Sequence, residues 1–302
     1  KHGGFYAATD ANTQEGEGSY YVWDKTELQQ YLDHDQYDAL QQHYALQTPN
    51  FEGKYHLHAT TEHPNTSQLQ QAETQLLQQR QTRLAPQQDH KCLTAWNALS
   101  ITGLAQASQT RERSDWLEAA QRAFHFIHTH LYKNNQLYTL HSQGQSTLGA
   151  YLDDYAYTLE ACLALLQCHW SNSYFELAKQ LADTLLEQFE DTQYGGFFFT
   201  SHQHEDLIQR SKTFNDDAQP SGNAVAAQAL LTLGYLCANP RYLKAAERTL
   251  QCAMPALEKN PIAHSRSIQA LSQSIYPKAS IIIRYKHLPD ELKDWIKHNR
   301  HQ

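Results

Sequence analysis

The chain has 302 residues, of which 40% are hydrophobic, and a formal net charge of −8. A chain of this length forms one large domain or two domains of ordinary size, and its hydrophobic content is enough for a packed core. This composition excludes an intrinsically disordered protein. Its Lys and Arg residues are scattered and are outnumbered by Asp and Glu, so the chain lacks the basic stripe that a nucleic-acid or anionic-membrane partner requires. No uncharged apolar run of about 18 residues predicts a membrane span.

The cysteines are odd in number and form no Cys-x-x-Cys pair. They are Cys92, Cys162, Cys168, Cys237 and Cys252. Most lie within apolar helical patterns, so we interpret them as buried thiols of a protein in a reducing compartment, the cytoplasm. The first residues, from Lys1, do not form a signal peptide, and a targeting segment upstream of Lys1 stays an open alternative.

The chain opens with KHGGFYAATDAN, where Gly3 and Gly4 precede an aromatic pair. This pattern predicts a tight turn that leads into a short strand and a polar loop. Residues 24–64 follow as a predicted insertion with short helices around residues 25–44. Residues 66–83 are rich in Gln and predict a solvent-facing helix that closes a preceding hairpin.

Three later segments consist of apolar or small residues on nearly all sides, which is typical of helices buried on every side. They are residues 92–108, 151–168 and 219–237. Each is followed by a predicted amphipathic helix, at 114–131, 173–190 and 240–257. Polar clusters at Asp89, Asp153 and Asp216 precede or open the buried helices and stand 64 and 63 residues apart. The chain therefore predicts a repeat of helical hairpins.

Inner helices as apolar as these favour a closed ring, because an open superhelix leaves its concave helices in water. The connections NNQLYTLHS and TQYGGFFFTS both predict a turn and a short strand, as the opening HGGFYAATD does. We therefore expect the opening to follow an amphipathic helix that this chain does not contain. The predicted fold is all-α, an incomplete (α/α) toroid with short β-hairpins between its helical hairpins.

The predicted organisation has two parts. Residues 1–277 form the C-terminal portion of an (α/α) toroid, interrupted by the insertion at 24–64. Residues 278–302 form a short tail, in which KASIIIRYK predicts a strand and LPDELKDWIKHNR predicts a helix capped by Asp290.

Four motifs occur in order over residues 3–237. They are GGFYAATDANTQEGEGSYYVW, DHKCLTAWNALSITGLAQA, AYLDDYAYTLEACL and LIQRSKTFNDDAQPSGNAVAA. Together they resemble the spermatogenesis-associated protein 20 family. The resemblance implies a thioredoxin-like domain fused to an (α/α)6 toroid of the six-hairpin glycosidase and N-acylglucosamine 2-epimerase type. It also implies that this chain is the C-terminal portion, with the thioredoxin-like domain and the first hairpins upstream.

The chain departs from the family pattern at three positions. Asn12 replaces the usual second Asp, Ala150 replaces a Gly, and Thr213 replaces an acidic residue. These departures bear on the chemistry that the resemblance implies and not on the fold.

The candidate catalytic residues are carboxylates, because hydrolysis of a glycoside needs one protonated acid and one ionised carboxylate. They are Asp153, Asp154, Asp10 and Asp216. With Asp89, they stand at the same end of the predicted hairpins, and those ends converge in a closed ring. The alternative is that each Asp is a helix N-cap, and for Asp89 and Asp216 this alternative is at least as strong. Adjacent helical residues point about 100° apart, so at least one of Asp153 and Asp154 faces the interior or a neighbouring helix.

The candidate sugar-binding residues are Tyr6, Asp89, Lys91, Trp96, Asn97, Tyr155, Arg210, Lys212, Ser221 and Asn223. The aromatic members, with Tyr151, would stack on the C–H faces of a sugar, although core packing is their commoner use. The amides of Asn97 and Asn223 need partners at inner-helix positions. Arg210 and Lys212 would hold a carboxylate or phosphate, although loop charges are more often solvated.

We expect no metal and no cofactor, because the histidines are unpatterned and no nucleotide-binding motif is present. The first functional hypothesis is a carbohydrate-directed hydrolase or isomerase with a sugar pocket at the N-terminal ends of the inner helices. The second is a non-catalytic toroid that positions a ligand or partner for a thioredoxin-like redox domain. An incomplete ring exposes a hairpin face, so we also expect self-association.

Overall fold

The computed structural model describes residues 3–60, 62, 64, 66–204, 208–277, 289, 292 and 295. Its contacts divide the chain into two compact units. The small unit is Tyr6–Cys92, and the hairpin unit is Lys1–Phe5 with Leu93–Gln302. The insertion predicted at 24–64 falls within the small unit, and the predicted domain limits stay a prediction. The strand and helix predicted over 278–302 lie outside the described residues, apart from positions 289, 292 and 295.

The small unit consists of three helices and four short strands within the described residues. They are β1 (Ala8–Thr9), β2 (Asn12–Thr13), β3 (Gly16–Glu17), α1 (Lys25–Tyr31), α2 (His34–His43), α3 (Ser67–Thr82) and β4 (Gln88–Asp89). β1 pairs antiparallel with β4, and β2 pairs with β3. Asp24 caps α1 by accepting the free amide of Glu27, and Asp33 caps α2 in the same way. The helices share a core that contains Leu28, Leu40 and Leu69.

The hairpin unit alternates inner and outer helices. After β5 (Cys92–Leu93), its elements are α4 (Thr94–Arg111), α5 (Ser114–Phe126), β6 (Tyr132–Lys133), β7 (Gln136–Ser142), β8 (Gln145–Gly149), α6 (Leu152–Cys168), α7 (Asn172–Thr184), α8 (Gly222–Cys237), α9 (Pro240–Lys259) and α10 (Ser265–Ile275). The inner helices α4, α6, α8 and α10 pack side by side in that order, and α5, α7 and α9 each pack on the inner helix before them. The predicted helical hairpins are confirmed.

Burial follows the composition of each helix. α6 and α8 are buried along nearly their whole length because their residues are small or apolar on nearly every side. The outer helices bury one face only, such as Ala120 and Phe124 in α5 and Tyr242 and Leu250 in α9. α5 and α7 continue into π-helical turns that complete the predicted amphipathic segments. No helix in the described ranges combines the length and apolar content needed to cross a bilayer.

Two predictions about burial are wrong. α4 is not buried on every side, since Trp96 is 41% exposed and no atom lies within 4 Å of the Cβ that Gly103 lacks. Within the hairpin unit, α6 is the inner helix that packs on α4, whereas α6 and α8 each have two inner neighbours, so α4 keeps an exposed face despite its apolar sequence. Three of the thiols, Cys168, Cys237 and Cys252, are partly exposed rather than buried, and all five are free.

The even spacing of the acidic clusters does not mark structurally equivalent positions. α4, α6 and α8 begin at Thr94, Leu152 and Gly222, so the two intervals are unequal. Asp153 lies inside the first turn of α6, whereas Asp216 lies in the segment ahead of α8. The connections differ in structure, because antiparallel strands β6 to β8 join α5 to α6, whereas a largely irregular segment joins α7 to α8.

The opening turn and the Gly195 turn are the same structural element. Gly3 and Gly195 both adopt positive φ, at 93° and 84°. A Cβ on Gly3 would lie 2.7 Å from the carbonyl oxygen of Arg122, and a Cβ on Gly195 would lie 2.6 Å from that of Arg248. Only glycine fits where the backbone is left-handed and approaches an outer helix this closely. The predicted equivalence of the two glycine turns is confirmed.

Candidate functional site

A cavity of about 410 Å³ opens in the hairpin unit between the first turn of α6 and the segment that leads into α8. α6 contributes Asp153, and residues 213–222 form much of the remaining wall. The wall includes Phe199 and the carboxylate residue Asp217. Small-molecule sites in proteins are commonly about 300 to 1,000 Å³, so this cavity can hold a small ligand.

Asp153 is the half-buried carboxyl group of this cavity. A Cβ at Gly222 would overlap its Oδ1, so the glycine at the start of α8 leaves the space that this carboxyl occupies. The carboxyl group of Asp153 makes no hydrogen bond or ion pair with the described residues, and burial raises its pKa to about 6. The carboxyl therefore holds its proton to a higher pH than an exposed Asp does, and its oxygens are available to a ligand.

The neighbouring Asp154 has its oxygens occupied by protein donors. They accept hydrogen bonds from the backbone amides of Ala95 and Tyr151, both at 3.0 Å, and from the hydroxyl of Thr139 at 2.9 Å. Burial raises the pKa of Asp154 to about 7, and these hydrogen bonds act in the opposite direction. Asp154 joins the starts of α4 and α6 to strand β7 and does not line the cavity.

Asp216 makes a similar connection on the other side. Its carboxylate accepts hydrogen bonds from the amides of Ser221 and Arg266, both at 2.8 Å, and from the hydroxyl of Ser265 at 3.3 Å. It therefore caps α10 and fixes the residue before α8, rather than acting as the N-cap of α8. Asp216 does not line the cavity, whereas the exposed Asp217 does.

Asp217 and Phe199 are cavity residues that the sequence reasoning missed. Asp217 is adjacent to the predicted site residue Asp216, and that adjacency is the signal by which the sequence could have indicated it. The ring of Phe199 stacks on Tyr151 with centroids 4.9 Å apart and 11° between the planes. Tyr151 also stacks on His204, at 5.0 Å. Phe199 thereby presents a supported aromatic surface to the cavity.

The other aromatic candidates are placed elsewhere. Tyr155 is 5% exposed, and its hydroxyl accepts the amide of Leu137 at 3.3 Å, so it belongs to the core. Trp96 is exposed on α4 and does not line this cavity. Ser221 does line it, and its hydroxyl also donates to the carbonyl of Thr213 at 3.4 Å.

The two inner-helix asparagines bind backbone. The Oδ1 of Asn97 accepts the amide of Phe5 at 2.7 Å, and its Nδ2 donates to the Phe5 carbonyl at 3.0 Å. Asn223 makes the same pair of bonds to Phe197, at 2.7 and 2.9 Å. Each asparagine therefore fastens a glycine turn to an inner helix, and the partners that both buried amides require are supplied by the chain itself.

The loop cations are bound by the protein. The Nζ of Lys212 lies 2.7 Å from Asp191 Oδ2 and donates to the carbonyl of Gly195 at 2.8 Å. Arg210 donates to the carbonyls of Thr200 and Gln188, and burial lowers the pKa of its guanidinium. Both cations support the loop that carries Phe199 and do not line the cavity.

The remaining candidates lie in the small unit and make local contacts. Asp10 is exposed and accepts the amide of Asn12 at 2.9 Å. Asp89 accepts the amide of Lys91 at 3.1 Å and pairs with its Nζ at 3.1 Å, and the backbone hydrogen bond lowers the pKa of Asp89. The ring of Tyr6 packs edge-on against His90. Within the described residues, no group of three His, Cys, Asp or Glu side chains is arranged to hold a metal ion.

The chain matches curated proteins over nearly its whole length. It is 26% identical to human spermatogenesis-associated protein 20, with 94% of this chain and 42% of the human protein covered. It is 25% identical to an uncharacterized protein of Caenorhabditis elegans, with 90% and 43% covered. The chain is similar to spermatogenesis-associated protein 20. It spans less than half the length of these relatives, and no family model matches it.

Solved structures show what fold the chain has. A GH76 α-mannanase from Bacteroides thetaiotaomicron matches 85% of this chain and 62% of its own, with 14% identity and a TM-score of 0.51. An unsaturated glucuronyl hydrolase from Bacillus sp. GL1 matches 61% and 58%, with 12% identity and a TM-score of 0.48. At these identities the likeness concerns the fold alone. The predicted fold class, an all-α structure of the (α/α)6-toroid type, is confirmed.

Proposed function

We propose that this chain binds a sugar in the cavity at the N-terminal ends of α6 and α8 and cleaves its glycosidic bond. One observation carries the proposal. Asp153 presents an unpaired, half-buried carboxyl to the same cavity as a second, exposed carboxyl, that of Asp217. A glycoside hydrolase needs such a pair, with one group protonated and the other ionised.

The two carboxyls take different roles because their surroundings differ. Asp153, whose pKa burial raises to about 6, donates its proton to the glycosidic oxygen as the bond to the anomeric carbon breaks. Asp217 is exposed to water and either removes a proton from an attacking water or bonds to the anomeric carbon itself, in which case a water then cleaves that bond and releases the sugar. The anomeric configuration of the product distinguishes these routes.

Hydrolysis is favoured over isomerisation by the composition of the cavity wall. Among the described residues that line the cavity there is no histidine, whereas two carboxyl residues are present. The α-mannanase named among the structural neighbours is consistent with this choice, although its name describes that protein only. Asp154 and Asp216 act as positioning residues in this proposal, since protein donors occupy their oxygens.

The proposal is tested with a panel of 4-nitrophenyl glycosides that differ in sugar and anomeric configuration. For an unactivated disaccharide of the sugar that this panel selects, whose leaving group needs the proton, turnover should fall about 10² to 10⁴-fold in Asp153→Asn, the range for loss of a general acid. Glu247→Gln, which neutralises an exposed carboxylate on α9, is the matched control and should keep full activity. Sugar binding without turnover would instead favour the non-catalytic toroid, and equal turnover by Asp153→Asn would remove Asp153 from the mechanism.

The partners implied by the sequence stay predictions. The upstream thioredoxin-like domain is implied by the resemblance of the sequence motifs alone. Self-association follows from the exposed face of α4, and sizing chromatography of the chain tests it.

A further inference from the structure

We propose that the cavity selects an uncharged sugar and discriminates against uronic acids and sugar phosphates. This inference rests on the proposed function and adds the charge class of its substrate. It follows from the contacts that hold the neighbouring cations and from the side chains that line the cavity.

The cation nearest in sequence to the cavity wall is Lys212, which directly precedes the lining residue Thr213. Its ammonium group is held between the carboxylate of Asp191, at 2.7 Å, and the carbonyl of Gly195, at 2.8 Å. Asp191 is 7% exposed, so releasing Lys212 toward a ligand would leave a buried carboxylate without its counter-charge.

Two further cations are also bound by groups of the protein. Arg210 lies with its guanidinium 4.2 Å from the ring centroid of Phe198 and donates to two backbone carbonyls. Arg266, at the start of α10, forms an ion pair with Glu160 of α6 and donates to Gln269. None of these arginines lines the cavity, and the described lining residues include no Lys or Arg.

The groups that do face the cavity are acidic, uncharged or aromatic. Asp217 repels an anionic substituent, because like charges disfavour each other where no cation compensates, and the protonated Asp153 offers no positive charge to attract one. Thr213, Asn215 and Gln219 offer uncharged donors and acceptors that suit sugar hydroxyls. Phe199, supported by its stacked neighbour, offers a face for ring C–H groups.

The test compares matched ligands by saturation-transfer NMR titration. Methyl glycosides of glucose, mannose and galactose are each paired with the uronic acid and the 6-phosphate of the same sugar. We expect a neutral member to bind and its anionic partners to bind at least about tenfold more weakly at low salt, with a smaller ratio at high salt. Asp217→Asn should also shrink the ratio, and Glu247→Gln should leave it unchanged.

The outcomes separate the two proposals. If a uronic acid or sugar phosphate binds as well as its neutral partner, the charge inference is wrong and the sugar site stands. If no member of any pair binds, the sugar site is wrong and the charge inference falls with it. A preference for the neutral partner that Asp217→Asn leaves unchanged also contradicts the inference, because the stated cause of the discrimination is the acidic wall.

Discussion

Replacing Gly222 by alanine tests the position of the proposed acid. The new Cβ overlaps Oδ1 of Asp153 and lies 3.2 Å from Cγ of both Asp153 and Leu152, so the carboxyl must move. The end of an Asp side chain rotates easily, and Gly222 has no positive φ, so the backbone accepts alanine. Alanine is favoured over glycine in helices by up to about 1 kcal/mol, which offsets part of the crowding. We therefore expect the free energy of unfolding to change by less than about 1 kcal/mol.

The function should change far more than the stability. A displacement of about 1 Å at a reacting group can cost about 10²-fold in rate, and we expect a loss of this order in kcat/KM for the unactivated disaccharide. Stability is measured by urea denaturation and activity by release of the free sugar from that disaccharide. The same substitution at Gly103, which no neighbouring atom approaches within 4 Å, is the matched control and should stabilise α4 without affecting activity. Full activity in Gly222→Ala would refute the assigned position of Asp153.

Two further predictions concern stability. Because burial raises the pKa of Asp153 to about 6, the folded state holds this proton more tightly than the unfolded chain. Stability should therefore fall by about 2 to 3 kcal/mol as pH rises from about 4 to 6. Urea denaturation at pH 4 and pH 7 measures this difference, which should be smaller by that amount in Asp153→Asn. A pH dependence that is the same in Asp153→Asn and the original protein would contradict the burial of this carboxyl. Asn97→Ala and Asn223→Ala should each lower the free energy of unfolding by about 2 to 3 kcal/mol, because a backbone amide loses its partner. Gln106→Ala on the exposed side of α4 is the control for both, and equal losses in it and in the asparagine variants would show that the amide bonds do not matter.

The helices and their pairing were predictable from local pattern. Apolar or small side chains cover nearly every side of α6 and α8, and the following helices carry one apolar face, so most of the burial and exposure follows from periodicity. The glycine turns were predictable as a repeated element because the same Gly-Gly-Phe pattern occurs in both segments. Each turn requires glycine because a backbone carbonyl, that of Arg122 or Arg248, lies against it. These residues are distant in sequence from the turns, so the sequence does not reveal the contacts.

The prediction of α4 failed for a physical reason. An apolar sequence allows a helix to be buried on every side, but the number of helices that pack against it depends on the surrounding elements. α4 has the composition of a fully buried helix and still exposes Trp96. The regular spacing of the acidic residues failed similarly, because the connections between hairpins differ in structure while the packing of the inner helices is preserved.

The residue pattern alone places carboxylates near the starts of inner helices and shows that Asp153 and Asp154 point in different directions. Which of the two is available to a ligand depends on the packing of distant segments. Asp154 meets the amide of Ala95 and the hydroxyl of Thr139, which belong to other elements, and so becomes a structural acceptor. Asp153 meets the glycine at the start of α8 and keeps its oxygens free beside a cavity. Adjacent residues of identical chemistry differ because a carboxyl's role is set by the donors around it, and those donors are brought to it by the packing of distant segments.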